Sequence, residues 1–175
     1  MVNQGIVYSD FTLFNQIDKE KFKELNHKRF GRELVKHYFQ LFDPKYLRLA
    51  LDKEDYVGGV VVVEASYFGE EIGFDYIDKL VVKQEYESNG IGTDLFEFAK
   101  KESEKLIWRA RADNPYKKFY KTKKDRIEER DEWNIYSIGL NDKEWEDGIK
   151  YVLSKEDTFV SGIKEQDRLE NHLKL

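Results

Sequence analysis

The chain has no cysteine, two prolines (Pro44 and Pro115) and three histidines (His27, His37 and His172) in 175 residues. The missing thiols exclude disulfides, thiolate zinc sites and cysteine nucleophiles, and fit a cytoplasmic protein. The histidines lie far apart with no metal-ligand spacing, so no metal is expected. No stretch approaches the roughly 18 apolar residues of a membrane span, and the opening "MVNQGIVYSD" has neither the basic start nor the apolar run of a signal peptide. A membrane partner is therefore not expected. Charge of one sign is scarce too: 30 basic and 35 acidic residues leave a net −5. That balance argues against a general nucleic-acid binder.

What remains is a folding sequence, 40% apolar and 15% aromatic. Its length suits one domain with a real core. No repeat or low-complexity linker breaks it. "IVYS" reads as a short strand. Asp18–Leu25 reads as a helix with Asp18 as its N-cap. Residues 31–42 read as a second helix, because Leu34, Tyr38 and Leu41 form one apolar stripe and Val35, Phe39 and Phe42 its neighbour. "YLRLAL", "YVGGVVVVEASY", "DYIDKLVV", "KLIWRAR" and "EWNIYSIGL" read as strands. A helix carrying Ile91, Leu95, Phe98, Ala99 and Glu102 on one side separates the third from the fourth. Asn114 reads as the N-cap of a further helix through "YKKFYK", with Pro115 at its first position. This order predicts an α/β (α+β) domain around a central mixed sheet flanked by helices. The last 35 residues are polar and are expected as one or two helices, or a tail, at the periphery.

Three features go beyond a plain sheet. In "ESNGIGT", Gly90 and Gly92 open a helix just after a strand. Unpaired N–H groups and the helix dipole make such a place an anion cradle, but a glycine turn without a ligand explains it equally well. In "DYIDKLVV", Asp78 and Lys79 interrupt a buried strand. Strand alternation puts Lys79 on the face of Ile77 and Val81, and Asp78 on that of Tyr76 and Leu80. A polar cleft, an edge strand or a structural ion pair would each account for them. In "WRARADNP", alternation puts Arg109 and Arg111 on one face, suited to gripping a carboxylate, or simply exposed on an edge.

Together and in this order, these features resemble the GNAT superfamily of acyl-CoA-dependent N-acetyltransferases. "RFGREL", "YIDKLVV", "LIWRARADNP", Phe119-Tyr120 and "WNIYSIGL" resemble, more narrowly, the acetyltransferase domain of N-acetylglutamate synthase of the vertebrate-like and bifunctional synthase/kinase type. The resemblance spans roughly residues 5–140. The W-R-x-R-x-x-N-P run with a tyrosine six residues after the asparagine is its specific part; the GxG is not. It implies an acetyltransferase domain over 1–140, with 141–175 an extension that matches nothing in the family.

The resemblance also implies roles. Arg32, Lys79, Arg109, Arg111 and Asn114 would bind L-glutamate. Tyr120 would be catalytic, as the proton donor to the leaving thiolate, with Lys79, Asp78 or a water chain handling the amine proton. The backbone of Leu80, Val81 and Val82, and the loop Ser88, Asn89, Gly90, Ile91, Gly92 and Thr93, would hold acetyl-CoA. Glutamate carries two carboxylates, which call for several fixed cations. Glu87 departs from the usual Gln or Arg, and an acid beside a diphosphate is unfavourable unless it points away. The basic run Lys117, Lys118, Lys121, Lys123 and Lys124 sits in a charged hairpin or loop, read as a solvated face, with contact to the 3′-phosphate of CoA as the alternative. A chain of this length has no room for the amino-acid-kinase-like domain of many relatives, so a homo-oligomer or a separate kinase-like chain is expected. Another acidic amine as acceptor, or a non-catalytic binding module, are the competing readings.

Overall fold

A computed structural model describes residues 5–67 and 69–160. The expected tail beyond residue 160 lies outside the described residues. Seven strands form one sheet in the order β1-β2-β3-β4-β5-β7-β6: β1 (Ile6–Phe11), β2 (Tyr46–Asp52), β3 (Asp55–Tyr67), β4 (Glu70–Val82), β5 (Leu106–Arg111), β6 (Arg126–Glu129) and β7 (Trp133–Ile138). All neighbours are antiparallel except β4 and β5. Helices α2 (Ile91–Glu102) and α3 (Lys117–Lys123) cover one face. Helices α1 (Lys19–Phe30) and α4 (Asp142–Ser154) cover the other.

The β-branched run of β3 makes it the buried centre, with Val60, Val61 and Val62 inaccessible. Gly58 lets α2 lie close, because a Cβ there would sit 2.9 Å from Ile91 Cγ2. On α2, Ile91, Leu95 and Ala99 face the core as expected. Phe96 is fully buried beside them, Phe98 is partly buried and Glu102 is exposed. The charged stretch after α3 becomes the hairpin β6–β7, with its charged edge strand outermost.

Three expectations need correction. Helix α1 runs on to Phe30, capped by the Asp18 carboxylate on Lys21 N–H at 3.1 Å and closed by Gly31 in the left-handed conformation. The helix expected over 31–42 reduces to a single 3₁₀ turn at Tyr38–Gln40. Its backbone bonds elsewhere: Val35 N–H donates to the Thr158 carbonyl at 2.9 Å and Glu33 accepts from Val160 N–H at 2.7 Å. The apolar periodicity reports burial for most of its residues, since Leu34, Tyr38, Phe39 and Phe42 pack together with Phe14 and Phe22, but Leu41 of the expected stripe is exposed. Asn114 caps a turn and not α3. Its side chain accepts from Tyr116 N–H at 2.8 Å, and α3 starts at Lys117.

The sequence after Leu140 is less peripheral than its polarity suggests. Asn141 and Glu144 form a capping box at the start of α4. Gly148, Tyr151 and Val152 are buried against the sheet.

Candidate active site

The site begins where the parallel pair fails. β4 and β5 pair only at Asp75–Leu106, Tyr76–Ile107 and Ile77–Trp108. Each then continues bonded to its outer neighbour alone, so the sheet forks. The closed end is fastened by buried Asp75, which accepts from Ser103 and pairs with Lys45 at 2.9 Å. On the β3 side, Val61 faces Lys79 and Val62 faces Ile77, so Asp78 is an extra residue, a β-bulge.

The bulge corrects the expected strand faces. Ile77 shares a core cluster with Leu80 and Val82, under α2 and α3. Lys79 projects to the opposite face, beside Asp78. Both side chains are nearly inaccessible (6% and 2%) and form an ion pair at 3.1 Å. Asp78 also accepts from Tyr38 O–H at 2.6 Å, and Lys79 donates to Thr158 Oγ1. Of the alternatives the sequence left open, the pair is both an ion pair and part of a cleft.

A cavity of about 870 Å³ fills the fork. It gathers Arg32, Lys79, Leu80, Arg109, Arg111, Asn114 and Tyr120. Cations line its α1/α4 side, and Trp108 and Tyr120 line its α2/α3 side. Arg109 and Arg111 share a face as expected, flanking the Trp133 ring at 4.1 and 4.8 Å. Their bonds are internal. Arg109 donates to the carbonyls of Val152 (2.8 Å) and Glu156 (2.9 Å), at the end of α4 where a cation meets the helix dipole. Arg111 donates to Glu132 at 3.1 Å and to Asp157. Arg32 donates to the same Asp157 carboxylate at 3.0 Å.

Tyr120 is 5% exposed, packed among Trp108, Tyr116 and Tyr136. Burial, then the neighbouring tyrosines, hold its hydroxyl far above the ordinary phenol range. Its hydroxyl makes no hydrogen bond among the described residues, so it stays a protonated donor facing the cavity.

Leu80, Val81 and Val82 form the β4 arm of the fork. The Tyr116 hydroxyl donates to the Val82 carbonyl and accepts from the Val82 N–H, both at 2.9 Å. Val82 therefore turns its polar groups away from β3, and by alternation Leu80 does the same. Beyond Val82, a 3₁₀ turn (Gln84–Asn89) carries Ser88 and Asn89 into α2. Gly90 has φ +82, with open space for 4 Å around the point where a Cβ would stand, and offers no side-chain cap. The first-turn amides of Ile91, Gly92 and Thr93 thus lack helical partners and face outward, which fits a phosphate-bearing ligand. Glu87 pairs with Arg29, which stacks over Tyr116 at 5.2 Å. Its charge is compensated from α1.

Sequence reasoning missed Arg29, Tyr116, Lys155, Asp157 and Thr158. Tyr116 stood beside the specific W-R-x-R-x-x-N-P run. The residues after α4 carried no local signal, because their meaning lies in contacts with distant segments.

Residues 9–156 match the family described as NAT, the N-acetyltransferase of N-acetylglutamate synthase. The chain belongs to this family. An acetylglutamate kinase of Xanthomonas campestris is 28% identical over 144 residues, covering 82% of this chain and 33% of that protein. The mitochondrial N-acetylglutamate synthase of Mus musculus is 26% identical over 128 residues, covering 73% and 24%. This NAT-family chain thus spans a third or less of the length of these relatives. Among solved structures, the PaiA N-acetyltransferase of Thermoplasma acidophilum, in complex with coenzyme A, superposes with a TM-score of 0.56 at 13% identity, covering 77% of this chain and 99% of that one. Arabidopsis thaliana NAA60, in complex with acetyl-CoA, gives 0.55 at 17% identity, covering 75% and 97%. At such identities these likenesses establish the GNAT fold of the NAT-family chain.

Proposed function

We propose that the chain transfers an acetyl group from acetyl-CoA to the amine of an acidic amino acid, with L-glutamate the leading acceptor. The observation that carries this reading is the fork. It places an uncapped, glycine-headed helix N-terminus at the end of one arm and a cation-lined cavity between the arms. The matched family and the coenzyme A complexes of its structural neighbours support the same reading.

Acetyl-CoA supplies an activated thioester. The amides of Ile91, Gly92 and Thr93 would hold its phosphates. The Leu80 N–H, free of β3, would polarise the thioester carbonyl. As the acceptor nitrogen bonds to the acetyl carbon and the carbon–sulfur bond breaks, the ammonium gives up two protons: one is balanced by the proton the sulfur gains, and the other leaves to solvent. Tyr120, still protonated, would donate a hydrogen bond to that sulfur. Lys155 lines the acceptor side, where burial makes its amine readier than an ordinary lysine to stand neutral and take a proton. Holding both reactants in one fork supplies much of the rate by orientation.

Free-thiol release from acetyl-CoA, with and without L-glutamate and across a panel of other amines, tests the reading. Glutamate-dependent release is expected. Release with another acidic amine alone would move the acceptor, and none with any amine would leave a binding module of the same fold. The relatives' names, an acetylglutamate kinase and an N-acetylglutamate synthase, further support N-acetylglutamate as the product and an amino-acid-kinase-like unit as a partner. No helix among the described residues is long and apolar enough to cross a membrane.

A further inference from the structure

Two of the cavity's arginines already hold a carboxylate, and it is the protein's own. Arg32 follows α1 and Arg111 ends β5, yet both Nη2 atoms converge on Asp157 Oδ2, 125 and 46 residues away in the chain. Asp157 sits in a strap, residues 155–160, that leaves α4 and crosses the mouth of the fork. The strap pairs with residues 33–35 through the Leu34–Phe159 bridge and two backbone bonds. Phe159 packs edge-on against Phe30 at 5.6 Å.

Two guanidinium groups brought together from separate elements onto one side of a cavity are a carboxylate site by construction, because each offers paired N–H donors. We propose that Asp157 occupies the position of the acceptor's carboxylate, so that an acidic acceptor binds by taking Arg32 and Arg111 from it and Asp157 thereby sets acceptor selectivity. This rests on the acidic-acceptor reading above.

The geometry favours exchange over a permanent clamp. The Asp157 side chain is 25% exposed, against 2% for Asp78, so it re-enters water far more readily than the other acid paired inside the cavity. It also keeps a partner when the arginines leave, since Phe159 N–H donates to its other oxygen at 3.1 Å. The second partner of Arg111, Glu132, is 65% exposed at the rim, where an ion pair is weak. Arg109 is not available for exchange, being tied to two backbone carbonyls of the α4–strap segment. With Asp157 in place, the cavity lining holds six Lys or Arg against five Asp or Glu. A dicarboxylate therefore meets a nearly neutral pocket until Asp157 yields.

The test is calorimetric titration of L-glutamate, and of glutarate as an amine-free dicarboxylate, into the full chain as wild type, Asp157→Asn and Asp157→Glu. The amide is isosteric and keeps the Phe159 bond, and Asp157→Ser is the second route if it does not fold. At least tenfold tighter binding of both ligands to Asp157→Asn is expected, with Asp157→Glu close to wild type. Equal or weaker binding to Asp157→Asn would show a fixed clamp and overturn the proposal. So would tightening in Asp157→Glu, since loosening of the strap and not charge would then be the cause. Absence of binding in every chain overturns it together with the glutamate reading. Tightened glutarate binding without glutamate-dependent thiol release sustains the exchange and removes glutamate as acceptor. Glutamate-dependent release with unchanged binding to Asp157→Asn does the reverse.

Discussion

The Tyr116 hydroxyl satisfies both backbone groups of Val82, at 2.9 Å each, on the edge of β4 that β5 has left. Burial is the largest influence on this phenol, which is pushed up to about 12, so it is a neutral donor and acceptor at working pH. On the acetyl-CoA reading, the same edge is where the ligand's amides would bond. Tyr116→Phe is then expected to lower the unfolding midpoint, through about 1–3 kcal/mol for two bonds lost at partly buried groups. It should also tighten coenzyme A binding several-fold by removing a competitor. Calorimetry with coenzyme A and a melting curve check both parts. A variant that melts lower and binds coenzyme A more weakly would mean that the hydroxyl shapes the arm and does not compete for it.

Tyr120→Phe should separate chemistry from folding. The ring packs between Trp108 and Tyr136, but its hydroxyl bonds to nothing among the described residues. Turnover is expected to fall by about 10²-fold or more, the usual scale for a positioned proton donor. The unfolding midpoint should barely move. Single-turnover rates and calorimetric melting of the same preparation decide it, and undiminished turnover would remove Tyr120 from the chemistry.

Acid titration offers a prediction tied to the strap. Burial raises the Asp157 carboxyl, but the Phe159 N–H, Arg111 and Arg32 outweigh it and hold the group below its ordinary value. A carboxylate lowered in the folded state adds stability that is present above its unfolded value, about 3.9, and is lost as pH falls through the folded value. Asp157→Asn should therefore melt below wild type at neutral pH, with the gap narrowing in acid. A gap constant from neutral pH into acid would mean that the carboxylate is not held ionised by its partners. Lower stability combined with tighter dicarboxylate binding is the joint signature of the exchange.

The parts legible in the sequence were those written locally. A strand followed by Gly90 and Gly92, and the W-R-x-R-x-x-N-P run, name their own backbone geometry within a dozen residues. The first marks the helix entry at the end of the β4 arm, and Trp108, Arg109, Arg111, Asn114 and Pro115 of the second line the cavity. The bulge at Asp78 was invisible, because it exists only in the register against Val61 and Val62. Residues 31–42 had a helical period of apolar side chains, yet their backbone found partners in Thr158 and Val160. Burial survived this tertiary override except at Leu41, and the helix did not. The pairing of Arg32 and Arg111 with an internal acid had no local mark at all.

Glycine substitutions separate conformational strain from crowding. Gly90→Ala places a side chain at φ +82 in open space, so only the backbone preference is lost, about 1 kcal/mol. Gly58→Ala has no such strain, but its Cβ would lie 2.9 Å from Ile91 Cγ2 and 3.3 Å from the Val81 carbonyl. Overpacking between β3 and α2 is expected to cost about 1–3 kcal/mol. Denaturant midpoints should rank wild type above Gly90→Ala above Gly58→Ala. The reverse order of the two variants would show that α2 shifts freely on the sheet.

Lys155 carries the last prediction, and its sign is opposite to that of Asp157. Burial is the largest influence and lowers its amine, Asp78 pulls the other way, and Arg109 and Lys79 lower it further. The ammonium lies over the Tyr76 and Tyr151 rings at 4.8 and 5.0 Å, which offsets part of the desolvation. For a lysine lowered in the folded state, the unfolded chain binds more protons between the two values. The destabilisation is therefore full below the folded value and fades as pH rises toward the ordinary value of about 10.4. Lys155→Met, similar in length and uncharged, should melt above wild type near neutral pH, and the two curves should converge as pH rises toward that ordinary value. If Lys155 also receives the acceptor's proton, the same variant loses turnover most on the high-pH side of the profile, where the wild-type amine stands neutral, and the two profiles approach each other in acid. A variant that melts below wild type at every pH would mean that the two tyrosine rings stabilise the ammonium more than burial penalises it, and would remove the reason to regard Lys155 as an unusually ready proton acceptor.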